Sequence, residues 1–297
     1  MLRVVSLRTD FKLITRSDWE RSFPLCGALK SNRIVALQTG FSLIGTILSN
    51  IEGTVWQPCQ FGNDKRPDEE MEMLFDEVIL GRRSIRGYKP DPVPKELIKE
   101  IIYLALRAPS SMNTQPCNFY VVTGEALDRI RCGNTERMVG GVPQSREFRT
   151  GQAFAGQHRE RQIGVAKQLF AAMGIERDDK TRRNDWVLRG FRQFDAPVCI
   201  IVTYDRALDG SDDTPFDCGA VATALVNAAW SRGLGTVINS QGIMQSPVVR
   251  EHAGISDDQV IMKSIALGWP DEAFPANAVI SERKSVDEAT VFVGFTD

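Results

Sequence analysis

The chain has 297 residues, 42% of them hydrophobic and 25% charged, with a formal net charge of −2. These values describe a globular protein with room for a sizeable core, in one large domain or two modest ones. They exclude the broad basic footprint of a nucleic-acid binder, so no nucleic-acid partner is expected and any arginine cluster has a local meaning.

The six cysteines include no Cys-x-x-Cys pair, so neither a disulfide framework nor a zinc site is indicated. A reducing cytoplasm is the expected location. His158 and His252 are the only two histidines. Hydrolysis by a Ser-His or Cys-His pair would have to use one of them, and no metal site is expected. If the chain is an enzyme, a cofactor is expected to carry the difficult chemistry.

Residues 1–70 stand apart as an N-terminal extension, poorly ordered or loosely docked. The apolar run over 34–48 is interrupted by Gln38, Thr39, Ser42 and Thr46. It is too short and too polar for a membrane span, so no stable membrane association is expected. The regular pattern begins near Met73. Leu74, Phe75, Val78 and Ile79 share a helical face that stops at Gly81. Pro94 opens a second helix with Leu97, Ile98, Ile101, Ile102 and Ala105 on its apolar face, and Pro109 closes it. A short strand is predicted over 118–123 and a brief helix over 125–131.

Residues 133–192 are the least regular part, rich in arginine and glycine, with helices predicted over 157–173 and 185–191. A long polar insertion of this kind is either an active-site cover or a solvated excursion without function. The apolar run 197–204 has strand length. Asp213 or Thr214 then caps a helix reaching Arg232, with Gly219, Ala220, Thr223, Ala224, Asn227 and Ala228 on one face. Such small residues admit a close neighbour, from a second subunit or from the chain's own core. Gly233-Leu234-Gly235 leads into a strand through Ile238, Ser246-Pro247 opens another helix, and 260–267 is the last core strand.

Two segments carry chemistry. In Arg82-Arg83-Ser84-Ile85-Arg86, extended backbone would place Arg82, Ser84 and Arg86 on one side. Forked guanidiniums suit a phosphate at one end and an electron-rich ring at the other. Alone, such a cluster is more often a solvated face. The second segment is Pro109-Ser110-Ser111-Met112-Asn113-Thr114-Gln115-Pro116, where hydroxyls and amides crowd into a turn-rich stretch. Amides both donate and accept, as a flavin edge requires. A helix stop followed by Asx-type turns would explain the same residues without a ligand.

Together these segments resemble the nitroreductase family, whose members are FMN flavoproteins. The similarity continues through Gly233-Leu234-Gly235-Thr236 to Gln241, then Gly268-Trp269-Pro270, and ends near Ser281-Glu282-Arg283-Lys284. It spans about residues 71–295. The resemblance implies an α+β fold, with a central mainly antiparallel sheet flanked by helices, in an intertwined homodimer. Residues 71–297 would form the FMN-binding domain, 133–192 its active-site cover, and 270–297 an arm reaching the partner subunit.

The resemblance also implies roles. Arg82, Ser84 and Arg283 would hold the FMN phosphate. Arg83 and Arg86 would lie near the ring, with Ile85 between them and Arg86 at the N1 and C2 carbonyl edge. Pro109, Ser110, Ser111, Asn113 and Gln115 would line the ribityl chain and ring. Ile238, Asn239 and Ser240 would pass near N5 and O4. A cation held at N1 stabilises the charge that reduction leaves there, which makes Arg86 the expected catalytic residue. The implied reaction is ping-pong hydride transfer from NADH or NADPH through FMN to a nitroaromatic, giving nitroso and hydroxylamine products. Reductive dehalogenation, quinone reduction and a non-catalytic flavin-binding module stand as alternatives. Cys117 departs from the aromatic residue that the family often has after Gln-Pro, and Trp186 or Phe191 could stack on an aromatic acceptor.

Overall fold

The apolar run after Pro197 becomes a central strand of a four-stranded sheet. The computed structural model describes residues 73–148 and 153–295, and the extension expected over 1–70 lies outside them. The strands are β1 (Cys117–Thr123), β2 (Val198–Asp205), β3 (Gly235–Asn239) and β4 (Gln259–Gly268). Their order is β1-β2-β4-β3, and every neighbouring pair is antiparallel. β2 and β4 are covered on both faces, which explains near-continuous apolar sequence where a half-exposed strand would alternate.

The helices are α1 (Phe75–Gly81), α2 (Lys95–Ala105), α3 (Gly124–Val139), α4 (Gly156–Ala172), α5 (Lys180–Phe191), α6 (Asp213–Trp230), α7 (Ser246–Ala253) and the short α8 (Val286–Ala289). On one face of the sheet, Ile101 and Ala105 of α2 and Leu225 and Ala229 of α6 pack on Ile200, Val202 and Ile265. On the other, Leu127 and Ile130 of α3 and Val249 of α7 pack on Cys199, Ile201 and Ile261. The result is helices on both sides of an antiparallel sheet, each layer burying the apolar stripe of the next.

Three local expectations change. The brief helix predicted over 125–131 runs on to Val139. Gly133 does not break it, because it is a close-packing site: a Cβ there would stand 2.8 Å from Val248 Cγ1. The next residue, Asn134, is fully buried. Its amide donates to the carbonyls of Phe191 (3.1 Å) and Gln241 (2.8 Å), and its oxygen accepts from the Gln245 N–H (3.1 Å). The polar stretch from Gly133 therefore starts inside the packed core. Second, α5 begins at Lys180, where the Asp179 carboxylate caps it by accepting from the Arg182 N–H. Third, neither Asp213 nor Thr214 caps α6: Asp212 stands at the N-cap, and the Thr214 hydroxyl donates to the Leu208 carbonyl. Gly254 ends α7 with φ of 65°, as its place after His252 predicts.

The segment after α1 covers the outer edge of β3. Ser84 pairs with Thr236, the Ile85 N–H donates to the Thr236 carbonyl at 3.0 Å, and Tyr88 pairs with Pro270. Among the described residues, no helix is long and apolar enough to cross a membrane.

Candidate functional site

The arginine segment is positioned by the residue in its middle. Ile85 is 1% exposed and presses on Gly235, where a Cβ would stand 2.7 Å from Ile85 Cγ1. With Ile85 directed inward, Ser84 and Arg86 remain partly accessible, as alternation predicts. Ile85 itself, expected among the cofactor contacts, is a core residue whose N–H is already donated to β3.

The guanidiniums divide. Burial, and then the charge of Arg283, hold Arg82 below the ordinary arginine range. The fold thus brings together two cations that are 201 positions apart in the chain (283 − 82). Arg283 donates to the Ser281 carbonyl (2.9 Å), the Ser281 hydroxyl (2.7 Å) and the Glu282 carbonyl (3.0 Å). Burial lowers Arg86 as well, with Tyr88 acting the other way. Among the described residues, no carboxylate forms an ion pair with Arg82, Arg86 or Arg283. Desolvated cations without anionic partners are costly unless a ligand neutralises them. Arg83 serves the fold: its Nε donates to the Asn277 carbonyl at 2.6 Å and its guanidinium lies 5.4 Å from the Trp230 ring centroid. These two contacts anchor Arg83 to the Asn277 turn and to α6.

The loop from Pro109 to Gln115 is held differently. The Ser111 N–H donates to the buried carboxylate of Asp217 on α6 at 3.0 Å, and the Gln115 N–H donates to Ser110 Oγ at 3.0 Å. Met112, Asn113 and Gln115 have φ of 48°, 60° and 48°. Positive φ at non-glycine residues stores strain and clusters at ligand sites. Asn113 and Gln115 are exposed, and Met112 is 96% exposed. No hydrogen bond joins this loop to the arginine segment among the described residues.

At the end of β3, Ile238 is 46% exposed. Asn239 is buried, and its amide donates to the Gly190 carbonyl (2.7 Å) and Gln193 Oε1 (3.0 Å) while its oxygen accepts from the Gln241 N–H (2.9 Å). Its side chain is thereby committed within the fold. Ser240 Oγ accepts from Lys263 Nζ at 2.7 Å. Burial, and then Arg146, lower the Lys263 pKa. Phe191 is a buried core residue and is not available to stack on an acceptor, whereas Trp186 is half-buried.

Several residues here have no local sequence signal. Asn277, Arg189 and Gln193 act through partners far away in the chain. Asp217 had one: a carboxylate between Thr214 and Cys218, on the buried phase of an apolar helix, needs a buried partner. Among the described residues, no group of three His, Cys, Asp or Glu side chains is placed to hold a metal ion.

The sequence profile of the nitroreductase family matches residues 79–269. A nitrobenzene nitroreductase of Ectopseudomonas oleovorans is 38% identical over 224 residues, covering 74% of this chain and 97% of the relative. A chloronitrobenzene nitroreductase of Comamonas testosteroni is 36% identical over 225 residues, covering 74% and 97%. The solved structure of an FMN and NADPH-dependent nitroreductase from sphigopyxis sp. strain HMH matches with a TM-score of 0.71 and 29% identity, covering 75% of this chain and all of that one. The antiparallel sheet, its flanking helices and the arginine segment on the β3 edge are therefore features of a known fold, and the chain belongs to the nitroreductase family.

Proposed function

We propose that this chain is an FMN-dependent oxidoreductase that uses NADPH or NADH to reduce nitroaromatic compounds, working as a homodimer in the cytoplasm. The observation that carries this reading is the pair of partly buried guanidiniums, Arg82 and Arg86, with no carboxylate partner among the described residues, and the exposed Arg283 close enough to Arg82 for its charge to be felt there. A phosphate beside Arg82 and Arg283 and an electron-rich ring beside Arg86 supply what that donor set lacks. The residues present fit FMN.

FMN, when bound, accepts hydride from a nicotinamide and delivers it to the nitro group. The chain's own residues do the rest. Arg82, Ser84 and Arg283 hold the phosphate. Arg86 offers a desolvated cation to the N1 and C2 carbonyl edge, where low local dielectric strengthens it. The backbone of Ile238, Asn239 and Ser240 serves the N5 and O4 edge. Ser110, Ser111, Asn113 and Gln115, beyond Pro109, line the ribityl chain and ring.

Because that loop and the arginine segment are anchored separately within one chain, we assign the completing loop to a second copy. The small-residue face of α6 supports this. With α1 and α2 it borders a cavity of about 600 Å³ lined by Phe75, Val78, Leu104, Ala224 and Asn227. Phe75 is 74% and Leu80 84% exposed, and a patch of such residues marks an interface. Val291, Phe292 and Phe295 are also exposed, which supports residues 270–297 as an arm onto the partner. Residues 133–192, from Gly133 through α4 and α5, are the proposed cover within the domain 71–297. All four cysteines in the described residues are free, which fits a reducing compartment.

The test is anaerobic. Purified protein should be yellow, should lose its flavin absorption on addition of NADPH or NADH, and should regain it when mixed with nitrobenzene. A colourless protein that takes up no FMN contradicts the proposal. Bleaching that is reversed by quinones or halotyrosines but not by nitroaromatics would reassign the acceptor.

A further inference from the structure

Asn277 lies in the short turn Pro275–Ala278 and is buried. Its side-chain oxygen accepts from the backbone N–H groups of Arg86 (2.7 Å) and Gly87 (3.1 Å). Its amide donates to the carbonyls of Gly87 (2.8 Å) and Asp271 (2.9 Å). The remaining polar group of this dipeptide, the Arg86 carbonyl, accepts from Arg189 Nη2 at 3.2 Å. All four backbone polar groups of Arg86 and Gly87 thus meet side chains more than 100 positions away. The Gly87 carbonyl also accepts from the Asp271 N–H at 3.1 Å. Backbone groups are ordinarily satisfied within helices and sheets, so a segment held mainly by distant side chains is held for its placement.

The bracket is rigid. The Phe274 ring fills the space where a side chain on Gly87 would stand. The Arg189 guanidinium lies 4.8 Å from the Phe274 ring centroid and pairs with Asp195 at 3.1 Å. Arg189 belongs to α5, so the bracket joins three parts of the chain: the arginine segment, the turn Pro275–Ala278 at the start of the proposed C-terminal arm, and the proposed cover. The Arg86 side chain itself has weak guidance. Its Nη1 donates to the Ser84 carbonyl at 3.2 Å, and no carboxylate orients it among the described residues. Its direction is therefore set by its backbone.

We propose that Asn277 and Arg189 are positioning residues for Arg86: they set where its guanidinium is presented, and Arg189 ties that setting to the docking of α5. This rests on the reading of Arg86 as the cation at the flavin ring. A small misplacement of a charged group at a reacting centre costs rate without necessarily costing affinity.

The test uses Asn277→Asp, Arg189→Met, Arg86→Ala and the double variant Arg86→Ala/Arg189→Met in the full chain. Asn277→Asp keeps the acceptor for the Arg86 and Gly87 N–H groups and removes the donor to the Gly87 and Asp271 carbonyls. Three properties are measured: amide hydrogen exchange at residues 86 and 87 in the flavin-free protein, the midpoint potential of bound FMN, and the anaerobic rate of flavin bleaching by NADPH. Asn277→Asp and Arg189→Met should speed exchange at both amides, lower the potential, and slow bleaching by about tenfold. Adding Arg189→Met to Arg86→Ala should cost no further rate, because Arg189 acts through Arg86. Full additivity in the double variant, or faster exchange with unchanged potential and bleaching, overturns the proposal. If Arg86→Ala alone changes neither potential nor bleaching, the role of Arg86 itself fails and the positioning role falls with it.

Discussion

The two donor-bearing segments of this protein are built in opposite ways. The arginine segment is finished by its own fold: Ile85 is sunk against β3, and Asn277 and Arg189 satisfy the backbone of Arg86 and Gly87. The Ser110–Gln115 loop is left open: among the described residues its one hydrogen bond to another element is the Ser111 N–H on Asp217, three of its residues have positive φ, and Met112 stands in solvent. Strain and exposure together describe a half-site, complete only when something else packs on it. On the proposed reading, the rigid half would select and tune the ligand, while the open half would make binding depend on assembly.

The strongest way to break this comparison is through the phosphate cations. Arg82→Ala removes a charge-assisted donor and should raise the FMN dissociation constant by about 100-fold. Fluorescence titration of flavin-free protein measures it, and the bleaching rate at saturating FMN should change far less. Unchanged affinity would remove the arginine segment from the phosphate site. A smaller effect is expected at the loop's anchor. Asp217→Ala leaves the partly buried Ser111 N–H without its acceptor and should lower unfolding stability by about 1–3 kcal/mol and FMN affinity by about tenfold. Denaturant titration and fluorescence titration read the two separately, and a stability loss with full affinity would detach the loop from the site.

Two substitutions sharpen the contrast further. Gly235→Ala places a methyl against Ile85 and should shift the arginine segment, lowering stability by about 1–3 kcal/mol and weakening FMN only a few-fold. Asn113→Gly keeps the left-handed backbone at φ of 60° and deletes only the amide. Its expected effect is the smallest, about threefold in FMN affinity, the worth of one exposed hydrogen bond. If Asn113→Gly exceeds Gly235→Ala in its effect on affinity, the loop contributes more than this account allows.

Much of the frame was legible in the sequence, because it follows from local pattern. The unbroken apolar runs of β2 and β4, the Pro247 start of α7, and the shared side of Ser84 and Arg86 all follow from spacing. What escaped has a common physical cause. Asn277 reaches Arg86 across 191 positions and Arg189 reaches it across 103, so no periodicity announces either. Gly133 looks like a helix stop and is instead a contact with Val248. The turn Gln193–Asp195 has φ of 57°, 54° and 58° without a glycine to signal it. It is held by Gln193, whose buried amide donates to Ser264 Oγ and whose oxygen accepts from Asn239. Side-chain networks of this sort become visible only when the fold brings their members together.

The central claim is that the rigid half of one chain and the open half of another make one FMN site. Subunit mixing tests it most directly. One variant carries Arg82→Ala, and the other carries Asn113→Gly and Gln115→Gly, which delete both loop amides and keep the left-handed backbone. Alone, the first should bind FMN about 100-fold more weakly and the second about tenfold more weakly. When the two are co-refolded, the account predicts heterodimers with one intact and one doubly altered site, so that tight FMN binding returns at one flavin per dimer. If the mixture binds no better than its two components, each chain makes its whole site alone and the account is wrong.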